Sequence, residues 1–306
     1  MIPDYQSIML PLLRQVSDKG EHKFREIIEG LAKQFGLTDD ERKELLPSGV
    51  QPIFDNRVGW AKTYLKKAGL IDTPKRATVT ITTRGLEILK KNLDSINVKF
   101  LKQFPEFVEF QTAKRGDGET ETETETTEEQ STQTPEETLE TAYQKIRKSL
   151  AQDLINRVMT LSPAFFERLV VELLVKMGYG GSIKDAGRAI GKSGDEGIDG
   201  TIKEDKLGLD IIYIQAKRWQ PGNVVGRPEL QKFVGALAGQ GAKKGIFITT
   251  SSFTRDALDY VPRNETKIVL IDGEQLAQLM IDYNLGVTSV STYEVKRIDS
   301  DYFGED

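Results

Sequence analysis

Four polar residues stand where apolar patterning would otherwise run unbroken: Glu167 in PAFFERLVVELLVKM, Asp199 in GIDG, and Gln215 and Lys217 in LDIIYIQAKRW. The last of these segments is apolar on both faces, which predicts a central strand of a sheet. Period-two alternation sends Gln215 and Lys217 to the side of Ile211 and Tyr213, and Arg218 to the other. A lysine near the end of a buried strand is costly unless it meets an anion. Asp199 lies on the preceding strand of the same hairpin, close enough in space to converge with Gln215 and Lys217. On a helix running from Pro163 to Met177, Glu167 falls about 20° from Leu174 and about 60° from Val170, on the flank of the apolar stripe. Glu172 points about 140° away, toward solvent.

An acid, an amide and a lysine at one edge of a sheet have a chemical meaning. A carboxylate can hold Mg²⁺ through oxygen, leaving most positions to water and phosphate. The ion acidifies water and offsets charge on phosphoryl oxygens, while a lysine steadies the attacking hydroxide. Two plainer readings stand beside this one. Glu167 could sit at the core boundary and reach water, and Asp199 with Lys217 could be a buried ion pair serving structure alone.

Composition narrows the choice. The chain has 306 residues, no cysteine and one histidine, His22. Thiolate metal sites, thiol nucleophiles and disulfides are excluded together. Multi-histidine metal centres, paired-histidine phosphodiesterase sites and a Ser-His-Asp triad beyond the first 25 residues are excluded as well. Catalysis must run on carboxylates, lysine, hydroxyls and a hard metal ion. There is no run of about 18 apolar residues and no basic-then-apolar leader, which predicts a soluble, cytoplasmic protein with no membrane partner.

The elements that position these residues form a second domain, in the order α-β-β-α-β-α-β-α, a mixed sheet with helices on both faces. Ahead of it, GDGETETETETTEEQSTQTPEET (116–138) carries no aliphatic residue and reads as a flexible, self-repelling linker. A lead-in helix is expected over 139–160. The first domain shows Phe24, Ile27, Ile28, Leu31 and Phe35 at helical spacing, then Gly36 as a stop. Thr38 and Glu41 make a capping-box pair. Val58, Ala61, Leu65 and Ala68 mark a third helix closed by Gly69. Val79 and Ile81 suggest a strand after a Pro74–Lys75–Arg76 turn, and Thr83 is expected to cap a last helix. Helices followed by a ribbon with a basic tip is the order of a winged helix, in which the third helix can enter the major groove. Arg57, Lys62, Lys66 and Lys67 on that helix, with Lys75 and Arg76 on the ribbon, are the candidate DNA contacts. A solvated lysine-rich face is the plainer reading.

The charge distribution supports a polyanionic partner despite a net charge of −5. Residues 1–115 carry 20 basic and 15 acidic residues (+5), 116–150 carry 3 and 10 (−7), and 151–306 carry 19 and 22 (−3). An acidic strip beside a basic domain could fold onto it and imitate DNA.

The early-helix Glu167, then GIDG, then QAK on a strand resemble the PD-(D/E)xK nuclease superfamily. SPAFFERLVVELLVKMGYGG, SGDEGIDG, YIQAKRW, VGRPELQKFVGALAG and GIFITTSSFT, with NRVGWAKTYLKKAGLI in the first domain, resemble the Mrr-type restriction endonucleases. The likeness spans nearly the whole chain. It implies an α/β restriction-endonuclease-like core behind an N-terminal winged helix. It further implies a Mg²⁺-dependent enzyme that cuts double-stranded DNA bearing methylated adenine or cytosine. By motif, Asp199 would be the metal ligand, Gln215 and Lys217 would fill the (D/E)xK positions, and Glu167 would support the metal. Gln215 stands where the superfamily has an acid, as in the Mrr branch; Asp195 is a possible supporting group. The expected boundaries are 1–100 for the winged helix, 101–150 for the linker and lead-in helix, 151–290 for the nuclease and 291–306 for an acidic tail. Cutting both strands with one site per chain implies a homodimer or higher homo-oligomer. A non-catalytic winged-helix regulator with a decayed nuclease core is the alternative.

Overall fold

A computed structural model of the chain describes residues 1–112, 132–180, 197–205, 208–220, 222–261, 266–296, 298 and 302. It forms two compact units that divide between Lys145 and Ile146. Among the described residues, no helix is long and apolar enough to cross a membrane.

The first unit runs α1 (Tyr5–Gln15), β1 (His22–Lys23), α2 (Phe24–Gln34), α3 (Asp39–Lys43), α4 (Ile53–Lys67), β2 (Ile71–Asp72), β3 (Thr78–Ile81) and α5 (Thr83–Leu89). The strands form an antiparallel sheet in the order β1-β3-β2, with His22 opposite Val79 and Ile71 opposite Ile81. This is a winged helix, with α4 in the place of the recognition helix and residues 73–77 as the wing. Asp4 caps α1, which is apolar on nearly every side; Ile8, Met9, Leu12 and Leu13 are fully buried against Val58, Ala61 and Leu65 of α4. The Thr38–Glu41 capping box forms as the spacing predicts. Thr82, not Thr83, caps α5, because its hydroxyl both accepts from Gly85 N–H and donates to the Gly69 carbonyl.

Two further helices follow, α6 (Val98–Leu101) across the expected boundary at residue 100 and α7 (Pro105–Thr112) where the sequence suggests a linker. Val98, Leu101 and Phe107 are buried in the same core, and Phe107 and Phe110 meet Tyr64 of α4 edge-on, at 5.4 and 6.0 Å between centroids. The first unit therefore does not end at residue 100. The expected linker also closes early. Helix α8 (Pro135–Met159) begins within the stretch assigned to it, with Thr134 and Glu137 buried. Thr134 N–H donates to Glu137 at 2.8 Å, and Glu137 N–H to the Thr134 hydroxyl at 3.2 Å, a capping box with Pro135 in the first turn. Residues 113–131, which hold most of the acidic strip, lie outside the described residues, and so does any fold-back of that strip.

The second unit follows the expected order: α9 (Pro163–Lys176), β4 (Gly200–Lys203), β5 (Ile211–Lys217), α10 (Arg227–Gly239), β6 (Lys244–Thr249), α11 (Arg255–Tyr260), β7 (Lys267–Ile271) and α12 (Gly273–Asp282). The sheet order is β4-β5-β6-β7, with β4 antiparallel to β5 and the others parallel. One face packs on α9, α12 and the C-terminal part of α8 through Phe166, Leu169, Leu173, Ile212, Ile214 and Leu276. The other packs on α10 and α11 through Phe233, Leu237, Phe247 and Ala257. Strand β5 is central, as its two apolar faces require.

Candidate active site

Helix α9 sets Glu167. Ser162 caps it by accepting from Phe165 N–H, and Pro163 occupies the first turn. The stripe Phe166, Leu169, Val170, Leu173 and Leu174 is buried; Glu167 is half-buried on its flank, and Glu172 is exposed. Burial, and then the nearby negative charge of Asp199, push the Glu167 carboxyl above the usual glutamate range. Glu167 is thus partly withdrawn from water and senses the charge of Asp199.

The β4–β5 hairpin sets Asp199. Gly200 pairs with Ile214 and Thr201 with Tyr213, so one further step of the antiparallel register puts Asp199 opposite Gln215. Asp199 N–H donates to the Ile214 carbonyl at 2.8 Å, and its carboxylate accepts from Ala216 N–H at 2.7 Å. The backbone thus fixes both ends of this residue. Gln215 is only 3% exposed, and its side-chain oxygen has no hydrogen-bond partner among the described residues. A buried amide oxygen left unpaired costs about 1–3 kcal/mol, so a ligand that used it would recover that cost. Gly197, at φ +103°, lies against the Gln215 amide nitrogen; a Cβ there would come within 3.0 Å of it and would strain the backbone.

Lys217 ends β5, half-buried, on the Gln215 side of the strand. Its carbonyl accepts from the buried Thr249 hydroxyl at 2.9 Å and from Thr250 N–H at 3.2 Å. Thr250 and Ser251 continue this row, donating to the carbonyls of Trp219 and Asn223. These hydroxyls hold the chain around Lys217, and the sequence reading passes over them. The available signal is TTSS following an apolar strand, where buried hydroxyls must find partners. Arg218 points the other way, as alternation requires, and donates to the Met159 carbonyl at 2.6 Å. Asp195 lies outside the described residues.

Asp199, Gln215 and Glu167 offer oxygen donors of the kind that suit a hard divalent cation. Among the described residues no group of three acids or histidines gathers to hold a metal. The Gln215 oxygen, buried and unpaired among the described residues, is a neutral donor that stands outside any such group.

The candidate DNA contacts fare unevenly. Arg57 is a correction: its side chain is 17% exposed and points into the first unit. It bonds Glu137 at 2.7 and 3.0 Å and the carbonyls of Ile2 and Pro3 at 2.9 and 3.1 Å. Four of its five N–H groups are thereby engaged inside the unit. Lys62 lies over the Phe24 ring at 4.0 Å, and burial, then the charge of Lys66, lower its pKa. Lys66 is exposed and bonds Thr73; Lys67 lies over the Phe110 ring at 5.0 Å. On the wing, Lys75 pairs with Glu21 at 3.0 Å, and Arg76 is exposed.

Comparison with known proteins decides the family. A family model described as "Restriction endonuclease" matches residues 158–280, and one described as "Mrr N-terminal domain" matches residues 5–91. The type IV methyl-directed restriction enzyme EcoKMrr of Escherichia coli K12 is 38% identical over 307 residues, which cover 99% of each chain. The chain belongs to the Mrr restriction endonuclease family. As an Mrr-family protein it is a DNA endonuclease, and Glu167, Asp199, Gln215 and Lys217 all lie within the nuclease match. A decayed, non-catalytic core is not what this chain carries. Two solved structures also match: the modification-dependent enzyme AspBHI (17% identity, 46% of this chain and 36% of that one, TM-score 0.37), and MspJI with a 27-mer oligonucleotide (21%, 56% and 36%, 0.29). At such scores they add nothing to the fold assignment.

The burial of Glu167 beside Asp199 has a measurable sign. Its folded pKa is raised, so its ionisation weakens the fold. That penalty is absent below the unfolded value of about 4.3 and full above the folded one. Glu167→Gln should therefore raise the midpoint of thermal unfolding at pH 8 and leave it unchanged near pH 4, with cleavage lost. A variant whose midpoint matches wild type at both pH values would mean that neither burial nor Asp199 burdens the Glu167 carboxylate.

Proposed function

We propose that this Mrr-family enzyme is of the type IV kind, cutting double-stranded DNA that carries methylated adenine or cytosine, with Mg²⁺ as its ion. The observation that carries the site is Asp199, fixed by two backbone hydrogen bonds opposite the buried, unpaired oxygen of Gln215. The modification dependence rests on the likeness to EcoKMrr, whose name is methyl-directed.

In this reading Asp199, Gln215 and Glu167 hold the ion, which when bound acidifies water and offsets phosphoryl charge. Lys217 supplies a positive charge beside the scissile phosphate, where it orients the attacking water and stabilises the extra negative charge of the transition state. Holding Lys217 on a central strand fixes its reach before DNA arrives, so little reorganisation is needed at the moment of reaction. The winged helix binds the duplex. Two copies supply two sites, one for each strand.

The test is purified protein with Mg²⁺ and plasmids methylated by a panel of adenine and cytosine methyltransferases, beside unmethylated plasmid. Cutting of a methylated plasmid alone is the expected result. Cutting of every plasmid alike would remove the modification dependence, and failure across the panel would remove the proposed substrate.

A further inference from the structure

Helix α4 is gripped from behind. Asn56 bonds Thr134, Arg57 bonds Glu137, Trp60 bonds Glu136, and Tyr64 packs against α7. The face left outward is set by helical geometry. Taking Gly59 as origin, Lys66 lies about 20° away, Thr63 and Asp55 about 40°, and Lys62 about 60°. Lys66 is exposed and the other four are partly so.

Gly59 is the odd member of this face. It sits in the middle of a 15-residue helix without a positive φ, and an added Cβ would meet nothing within 4 Å. Two other helical glycines have a steric reason: a Cβ at Gly85 would strike the Leu70 carbonyl at 2.2 Å, and one at Gly30 would strike the Gln15 side chain. Gly235 on α10 is as open as Gly59, but the nearby cation on its helix, Lys232, is tied to Glu229. A glycine inside a helix weakens it relative to alanine. Among the described residues nothing gains from the missing methyl at Gly59, which points to a gain from what approaches that face.

We propose that Gly59 is a notch in the DNA-reading face of α4, where base edges of the major groove come against the helix backbone. The adenine N6 and cytosine C5 methyl groups both project into that groove. Lys66 lies about two turns along the helix from the notch, exposed on the same face, where it matches a phosphate; Lys62, between them, lies over the Phe24 ring. Asp55, about 40° from Gly59 and toward the opposite end of the helix from Lys66, is the single acid of this face. The proposal deepens the winged-helix part of the reading above and rests on it.

The test measures stability and binding on the same full-length variants. Fluorescent duplexes carrying N6-methyladenine or 5-methylcytosine, and their unmethylated counterpart, are titrated with wild type, Gly59→Ala, Gly59→Leu and Lys66→Ala without metal. Gly59→Ala should raise the unfolding midpoint of the first unit by ~2–4 °C while weakening binding to the methylated duplex at least tenfold. Gly59→Leu should weaken it further. Lys66→Ala should weaken all duplexes similarly and flatten the salt dependence. If Lys66→Ala weakens binding and Gly59→Ala does not, the notch is wrong and the winged-helix reading stands. If neither variant changes binding, or wild type binds no duplex, the reading and the notch fall together.

Discussion

Lys217→Ala and Asp199→Asn should each lower cleavage at least a hundredfold while the affinity for methylated duplex, measured without metal, stays within about threefold. The expectation follows from how each residue is held. Lys217 ends the central strand with its carbonyl bonded by Thr249 and Thr250, so truncating the side chain leaves the backbone path intact. What is lost is a positive charge at the phosphate, a contribution of about 2.7–4 kcal/mol by analogy with removal of one oxyanion donor, or roughly 10²–10³ in rate. Asp199→Asn removes charge and not shape. Its amide can be turned to keep an oxygen on Ala216 N–H, so the hairpin survives, but a carboxylate oxygen is gone from the donor set. Gln215 cannot replace it, having no charge to give. Thermal unfolding of both variants should match wild type within a few degrees. A variant that cuts at the wild-type rate would sink the assignment of its residue; one that cuts poorly because it unfolds would show in the melt.

Thr249→Val separates position from charge at the same place. It leaves Lys217 present but removes the hydroxyl that holds its carbonyl. A fall in the maximal rate at unchanged DNA affinity, restored by Thr249→Ser, is expected. A uniform loss of both, with a lower melting midpoint and no rescue, would mean Thr249 serves the fold alone.

The active site is legible in the sequence because its residues interrupt strong patterns. A lysine and a glutamine in a strand apolar on both faces, and a glutamate on the flank of an apolar stripe, each conflict with their surroundings, and such conflicts gather at sites. The order of strands and helices in the second unit is equally legible, since each apolar run is short and bounded by turn residues. The hydroxyl row from Thr249 to Ser251 is not, because its partners are carbonyls and carry no side-chain signature. In the first unit the boundaries are what mislead. By composition, residues 132–138 read as part of a stretch too polar to bury, and 101–112, though rich in phenylalanine, is grouped with the linker. Phe107 and Thr134 show that one buried residue per turn is enough when the partner is already in place. Thr134-Pro135-Glu136-Glu137 does carry a local signal, a capping box with proline in the first turn, but the alternating Glu and Thr around it conceal it. Arg57 misleads for the complementary reason: its partner lies 80 residues away, and a basic residue on a recognition helix looks the same whether it faces DNA or Glu137.

That ion pair carries the other large effect. Arg57→Ala should destabilise the first unit by about 3–5 kcal/mol, because Glu137 would be left 8% exposed with no cation. Glu137→Ala should cost a similar amount by stranding Arg57, which would keep only the Ile2 and Pro3 carbonyls. Replacing both by leucine should restore much of the loss, since well-packed apolar groups of similar volume often match a buried pair. A residue that touches a phosphate behaves differently. Were Arg57 such a residue, its removal would weaken DNA binding and reduce the salt slope by about one at unchanged stability. Here the melt should fall, and binding at a temperature where the unit remains folded should keep the wild-type salt slope. Denaturant unfolding of the four proteins of this cycle, followed by Trp60 fluorescence, reads the coupling. A coupling near zero would mean the strap from Thr134 to Glu137 does not hold α4, and Arg57 would again be a candidate for meeting DNA.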